Sequence, residues 1–149
     1  MDAQTAFPAA VIDTSFMVAA IFSAFSEDEN TSASAFMEDI IRQNGQFYVP
    51  EVFWFEFSNV LVSASRPGKN GNPPRLTPDE VLQIESILED YPIYTDVQPD
   101  AATRMRIREI AEKHSLSFYD ASYYELALRT GLPLKTFDDA LLHAWNKNR

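Results

Sequence analysis

Two rhythms of apolar residues alternate along this chain. Short, nearly unbroken apolar runs, AAVID at 9–13, QFYVP at 46–50, YPIYTDV at 91–97 and LPLKT at 132–136, suit strands buried on both faces. Between them apolar residues recur every three or four positions, the helical spacing. The spacing predicts a first helix over 16–25, followed by an acidic turn, SEDEN, at 26–30. Ala33, Phe36, Met37, Ile40 and Ile41 define a second helix that Gly45 closes. A third carries PEVFWFEFSNVLVSA and ends near Ser65. RPGKNGNPPR, at 66–75, is a long loop by its prolines, glycines and asparagines. The capping box Thr77-Pro78-Asp79-Glu80 starts a fourth helix that runs to about Glu89. A fifth covers 99–114, with Ile107, Ile110 and Ala111 inward and Arg104, Arg108 and Glu112 on another face. A sixth begins near Asp120 and stops at Gly131, and a last spans 139–146. Residues 1–8 read as a loose tail.

Strands that alternate with helices indicate an α/β fold: a short, mainly parallel central sheet with helices on both faces, three layers in all. A length of 149 residues suits a single domain over 1–149. Ligand crevices in such sheets lie outside the carboxyl ends of the strands. Asp13 ends the first strand, and Asp138 follows the last by a residue.

Composition narrows the chemistry. The absence of cysteine excludes disulfides and thiolate metal sites. The two histidines, His114 and His143, form no HExxH-like pair. A metal here would be held mainly by carboxylates, which points to a hard cation, Mg²⁺ or Mn²⁺. The formal net charge of −10 argues against non-specific affinity for nucleic acid, yet it is also what a deliberate cluster of carboxylates would produce. The N-terminus has no secretory pattern and no apolar run reaches spanning length, so a cytoplasmic protein is expected.

Four acids stand apart from the rest because apolar or aromatic residues flank them: Asp13 in VIDTS, Glu56 in FWFEFSNVL, Asp120 in SFYDASYYELA and Asp138 in LKTFDDAL. Each has a plain alternative. Asp13 and Asp120 suit helix N-caps, and Asp138 or Asp139 suits the cap of the last helix. Glu56, in mid-helix, has no capping role, although its carboxylate can reach the surface along its stem. If the strand ends line one crevice, the four carboxylates converge and repel one another. A divalent cation resolves that repulsion, and an acidic tetrad around Mg²⁺ or Mn²⁺ suits phosphodiester hydrolysis. Asn59 shares a helix face with Glu56 one turn on.

These pieces, in order, resemble a known family. VIDTS, then VPEVFWFEFSN, then LSFYDASYYELA, then LPLKTFD are similar to the successive motifs of PIN-domain proteins, and within them of the VapC-type toxins of bacterial and archaeal toxin–antitoxin pairs. The resemblance runs from Val11 to about Trp145. It implies a metal-dependent endoribonuclease with an RNA substrate, a homodimer silenced by a cognate antitoxin. Asp13 and Asp120 would be the principal Mg²⁺ ligands. Glu56 and Asp138 would complete the acidic pocket by positioning waters or a second ion. Thr14, Ser15, Thr136 and Asn59 match positions lining such pockets. Many relatives carry lysine where Asp139 stands here; a cap for the last helix is the role expected of Asp139. Arg66, Lys69 and Arg75 of the long loop, and Arg104, Arg106 and Arg108, either hold RNA or form solvated surfaces.

Other readings fit less of the chain. A haloacid-dehalogenase-type hydrolase needs a second Asp where Ser15 stands, and a receiver-like domain needs a lysine at a late strand end, whereas Lys135 lies inside LPLKT; neither uses Glu56. A non-catalytic PIN-fold module that binds RNA or protein is the alternative. The apolar content of Phe53, Trp54 and Phe55, and of Phe16, Val18, Ile21, Phe22 and Phe25, exceeds what one helix face buries, so an interface with a second copy or an antitoxin is expected there.

Overall fold

Val11 and Ile12 are consecutive and both inaccessible to solvent. Neighbouring strand residues point to opposite faces, so both faces of the sheet are covered, as the unbroken apolar runs require. The computed structural model describes residues 7–25, 31–97 and 99–147; the acidic turn expected at 26–30 and most of the tail expected at 1–8 lie outside them. The elements are β1 (Ala9–Ile12), α1 (Thr14–Phe22), α2 (Thr31–Arg42), β2 (Gln46–Pro50), α3 (Val52–Ala64), α4 (Pro78–Asp90), β3 (Ile93–Asp96), α5 (Ala101–His114), α6 (Phe118–Thr130), β4 (Leu134–Lys135) and α7 (Asp139–Lys147). Four parallel strands lie in the order β3-β2-β1-β4, so this is an α/β fold with a covered parallel sheet.

The sheet order matters for function. From β1 the chain moves outward to β2 and β3, then returns to place β4 on the other side of β1. Asp13 N–H donates to the Lys135 carbonyl at 3.1 Å, which sets the carboxyl ends of β1 and β4 side by side at the switch point where such sheets bind ligands.

Several helix ends differ from the expected ones. The first helix runs from Thr14, not Phe16, because Asp13 caps it: the Asp13 carboxylate accepts from Phe16 N–H at 3.0 Å. Residue Asn44, at φ +57°, takes the left-handed turn after α2; Gly45 serves another need, since a Cβ there would sit 2.1 Å from the Pro8 carbonyl oxygen. Ser117, not Asp120, caps α6, accepting from Asp120 N–H. Seven consecutive residues of α6, 121 to 127, are buried, which makes it the central helix, packed on β1, β2, α5 and α7.

The first helix buries more than one face. Phe16, Ile21 and Phe22 are core residues and Val18 and Phe25 pack against the core, because α1 lies against both α2 and α3. Phe53 is fully buried, and Trp54 Nε1 donates to Thr95 Oγ1 at 2.9 Å. Of the apolar excess noted in the sequence, Phe55 alone is strongly exposed, at 73%.

Candidate active site

Asp13 emerges from β1 almost wholly buried. Its Oδ1 accepts from Ser15 Oγ at 2.6 Å and from Phe16 N–H, and its Oδ2 accepts from Thr136 Oγ1. Those two hydroxyls are in turn held by the chain after β4. Phe137 N–H donates to Ser15 Oγ and Asp138 N–H to Thr136 Oγ1, each at 2.9 Å. Asp13 is therefore fixed by segments 123 residues apart. Burial pushes its carboxyl above the ordinary range; the Ser15, Thr136 and Phe16 bonds pull the other way, and the Asp138 charge adds to the rise.

Glu56 is half-buried in the second turn of α3. Tyr123 Oη donates to its Oε1 at 2.6 Å and Thr14 Oγ1 donates to the same oxygen at 3.1 Å. Thr14 begins α1 and Tyr123 lies in α6, so three helices meet at this carboxylate. Burial, and then the bond to Glu56, raise the pKa of Tyr123, which remains a phenol and a donor. Asn59, one turn on, is exposed.

Asp120 and Asp138 complete the group. Asp138 is the cap of α7, its Oδ1 accepting from Leu141 N–H at 2.9 Å; the cap expected of Asp139 falls one residue earlier, and Asp139 is exposed. Asp120 is half-buried on α6, and its pKa is raised from 3.8 to about 6. Burial is the largest cause, followed by the charges of Asp138, Glu56 and Asp13; the Ser117 hydroxyl opposes them. The fold thus brings the other three sequence-selected acids within electrostatic reach of Asp120. No Lys or Arg forms an ion pair with any of them among the described residues.

This donor set fits a hard divalent cation. It offers only oxygens, it is short of positive charge, and Asp13 Oδ2 accepts a single bond, which leaves it a lone pair. Among the described residues no three acid or histidine side chains form a ready ligand cage.

Two residues of this region escaped the sequence reading. Tyr123 is a buried core residue whose hydroxyl positions Glu56. Glu125, in the same YELA segment, is 2% exposed and ion-paired with Arg129 at 2.8 Å and Arg106 at 3.4 Å. Its signal was Arg129, one helical turn on. Of the six basic residues read as either RNA contacts or solvated surface, three have partners within the chain. Arg106 reaches Glu125, Arg104 donates to the Pro99 carbonyl at 2.7 Å, and the Arg75 guanidinium lies over the Phe22 ring. Arg66, Lys69 and Arg108 are exposed. Residues 66–75 leave the far end of α3, roughly 12 Å along the axis from Glu56.

Comparison with known proteins follows the same lines. The PIN domain family model matches residues 10–145. The structure is similar to that of PAE2754 from Pyrobaculum aerophilum, with a TM-score of 0.62 and 21% identity over 95% of this chain and 83% of that one. It is also similar to VapC20 of Mycobacterium tuberculosis, a sarcin–ricin loop cleaving toxin, with a TM-score of 0.57 and 16% identity over 91% of this chain and 94% of that one. At such identities the likeness is one of fold. No curated protein sequence matches significantly. With the motifs in order, the strand-end acids together and the family model spanning nearly the whole length, the chain belongs to the PIN domain family.

Proposed function

We propose that this protein is a Mg²⁺- or Mn²⁺-dependent endoribonuclease and the toxin of a VapBC-type toxin–antitoxin pair, acting in the cytoplasm as a homodimer until a cognate antitoxin silences it. One observation carries the catalytic part. Asp120 is pushed up to about 6 by burial and three neighbouring acids, with no basic partner among the described residues, an arrangement of like charges that a bound cation would relieve. Fold likeness to a toxin that cleaves the sarcin–ricin loop supports an RNA substrate.

Asp13 and Asp120 would hold the cation. When bound, it supplies Lewis acidity, easing ionisation of water and offsetting charge on the phosphate oxygens. Ser15 and Thr136 keep the Asp13 carboxylate in one orientation. Thr14 and Tyr123 do the same for Glu56 through Oε1, so that Glu56 and Asp138 orient water beside the phosphate.

The test is cleavage of a panel of structured RNAs by purified protein, with Mg²⁺ or Mn²⁺ and with chelator, beside Asp120→Asn. Cutting that needs the metal and falls more than about a hundredfold in the variant is the expected result. Cutting that survives Asp120→Asn would place the chemistry elsewhere. No cutting and no metal binding by calorimetry, from folded protein free of antitoxin, would move the reading to a non-catalytic PIN-fold module.

A further inference from the structure

Thr136 reaches Asp13, whereas the residues on either side of it, Lys135 and Phe137, turn to a cluster of rings. The Lys135 ammonium lies 4.7 Å over the ring of Phe36 on α2, and the Phe137 ring stacks on Phe16 of α1 at 5.0 Å. Phe16 and Phe36 meet edge to face at 5.7 Å, so Lys135 and Phe137 share one side of the chain. Their Cα atoms are at most about 7 Å apart. Phe16 covers one face of the Phe137 ring, yet Phe137 remains 43% exposed. This platform borders the acids. Phe137 N–H donates to the Ser15 hydroxyl that bonds Asp13, and Asp138 is the next residue.

Charge decides which ligand suits it. The chain has a formal net charge of −10, yet Lys135 forms no ion pair among the described residues. A ring face attracts an ammonium without neutralising it, and three N–H donors on a compact charge suit a phosphate. Phe137 offers the complementary surface, a ring fixed against Phe16 whose exposed side takes a second flat ring. A simple anion would leave Phe137 unused, and an apolar partner would cover the Lys135 charge without pairing it. A nucleotide, with base and phosphate joined, satisfies both.

We propose that Lys135 and Phe137 form a nucleotide subsite beside the acids: Phe137 stacks one base of the RNA, and Lys135 receives the phosphate attached to it. This rests on the reading of the protein as a ribonuclease and deepens it by narrowing the substrate class. A base that stacks on a protein ring is unpaired, so the RNA is single-stranded where it crosses the site. The subsite also gives an acidic protein a local attraction for the RNA backbone, next to carboxylates that repel it.

The experiment uses mononucleotides and chelator, so neither metal nor cleavage enters. Adenosine 5′-monophosphate, adenosine 3′-monophosphate, adenosine and inorganic phosphate are titrated separately into isotope-labelled full-length protein, and amide shifts are followed by NMR. At least one monophosphate is expected to shift amides around 15–16, 36 and 135–138, and to bind about tenfold more tightly than inorganic phosphate. Lys135→Gln should reduce its binding to the level of adenosine. Phe137→Leu, which keeps Phe16 covered, should reduce it to the level of phosphate. Lys135→Arg and Phe137→Tyr should retain it. Absence of shifts at these residues with both monophosphates overturns the subsite, and so does unchanged binding by Lys135→Gln or by Phe137→Leu. Equal loss in Lys135→Arg and Phe137→Tyr would trace the effect to packing and overturn it too. Loss of the nuclease reading shows separately, as failure of metal-dependent cleavage by the wild-type protein.

Discussion

Helix α6 carries two carboxylates in opposite circumstances. Glu125 is almost completely buried, yet Arg129 and Arg106 pair with it and Asp96 completes the network. Its hydrogen bonds to Asp96 and Glu125 hold the Arg129 guanidinium above its already high ordinary pKa. Asp120 lies five residues earlier, about 140° around the helix, and is less buried; its charged neighbours are Asp138, Glu56 and Asp13. The more deeply buried acid is the better satisfied one. Burial therefore does not distinguish a structural carboxylate from a candidate catalytic one; the sign of the neighbouring charge does.

The sharpest way to break this comparison is to supply the missing charge. At pH 7, Mg²⁺ at a hundredfold excess over its Kd should stabilise the wild-type protein by about 2.7 kcal/mol. Asp120→Asn should show little of that gain. Thermal melts with and without metal measure it, and equal stabilisation of both proteins would remove Asp120 from the cation site. Next in size is the arginine side. Arg129→Ala leaves Glu125 and Asp96 short of their partner and should cost about 2 kcal/mol, below the usual cost of breaking a buried pair because Arg129 is partly exposed. A urea midpoint unchanged by that substitution would make the network decorative.

The dependence on pH comes third and has a definite sign. The Asp120 carboxyl titrates near 3.8 in an unfolded chain and near 6 in the folded one, so the folded state holds the proton more tightly. The resulting stability is fully present below about pH 4 and is lost as pH rises through about 6. For metal-free protein that loss should be about 1–2 kcal/mol, discounted for a half-exposed group. Asp120→Asn should abolish it, as denaturation across pH 4 to 7 would show. The smallest test separates the two neighbouring acids. Asp138→Asn keeps a good cap and should lower the Asp120 midpoint with a stability change within about 0.5 kcal/mol, whereas Asp139→Asn should leave the midpoint where it is. Carboxyl NMR titration reads both, and a larger effect from Asp139 would reverse their assignment.

Much of the fold was legible because its signals are local. The apolar runs marked all four strands, although β4 keeps only Leu134 and Lys135 in the ladder, and the capping box at Thr77 placed the start of α4 correctly. The errors fall where two residues compete for one local role. Ser117 and Asp120 both suit an N-cap, as do Asp138 and Asp139; in each case the earlier residue takes it. Within the site, the four acids could be selected by their apolar flanks. Tyr123 could not, because a tyrosine at core spacing looks like packing, and Glu125 showed only its i,i+4 spacing to Arg129, which does not reveal that the pair is buried.

The sequence by itself determined the order of elements, the strand-end positions of Asp13 and Asp138 and the apolar setting of Glu56 and Asp120, since periodicity and capping act over a few residues. Only the tertiary structure decided which acids meet. Placing β4 beside β1 brings Thr136 and Asp138 to Asp13, and α6 crosses β1 and β2 with Asp120 toward other acids and Glu125 toward arginines. Electrostatic energy depends on distance in space, and residues far apart along the chain acquire that distance only when the sheet closes.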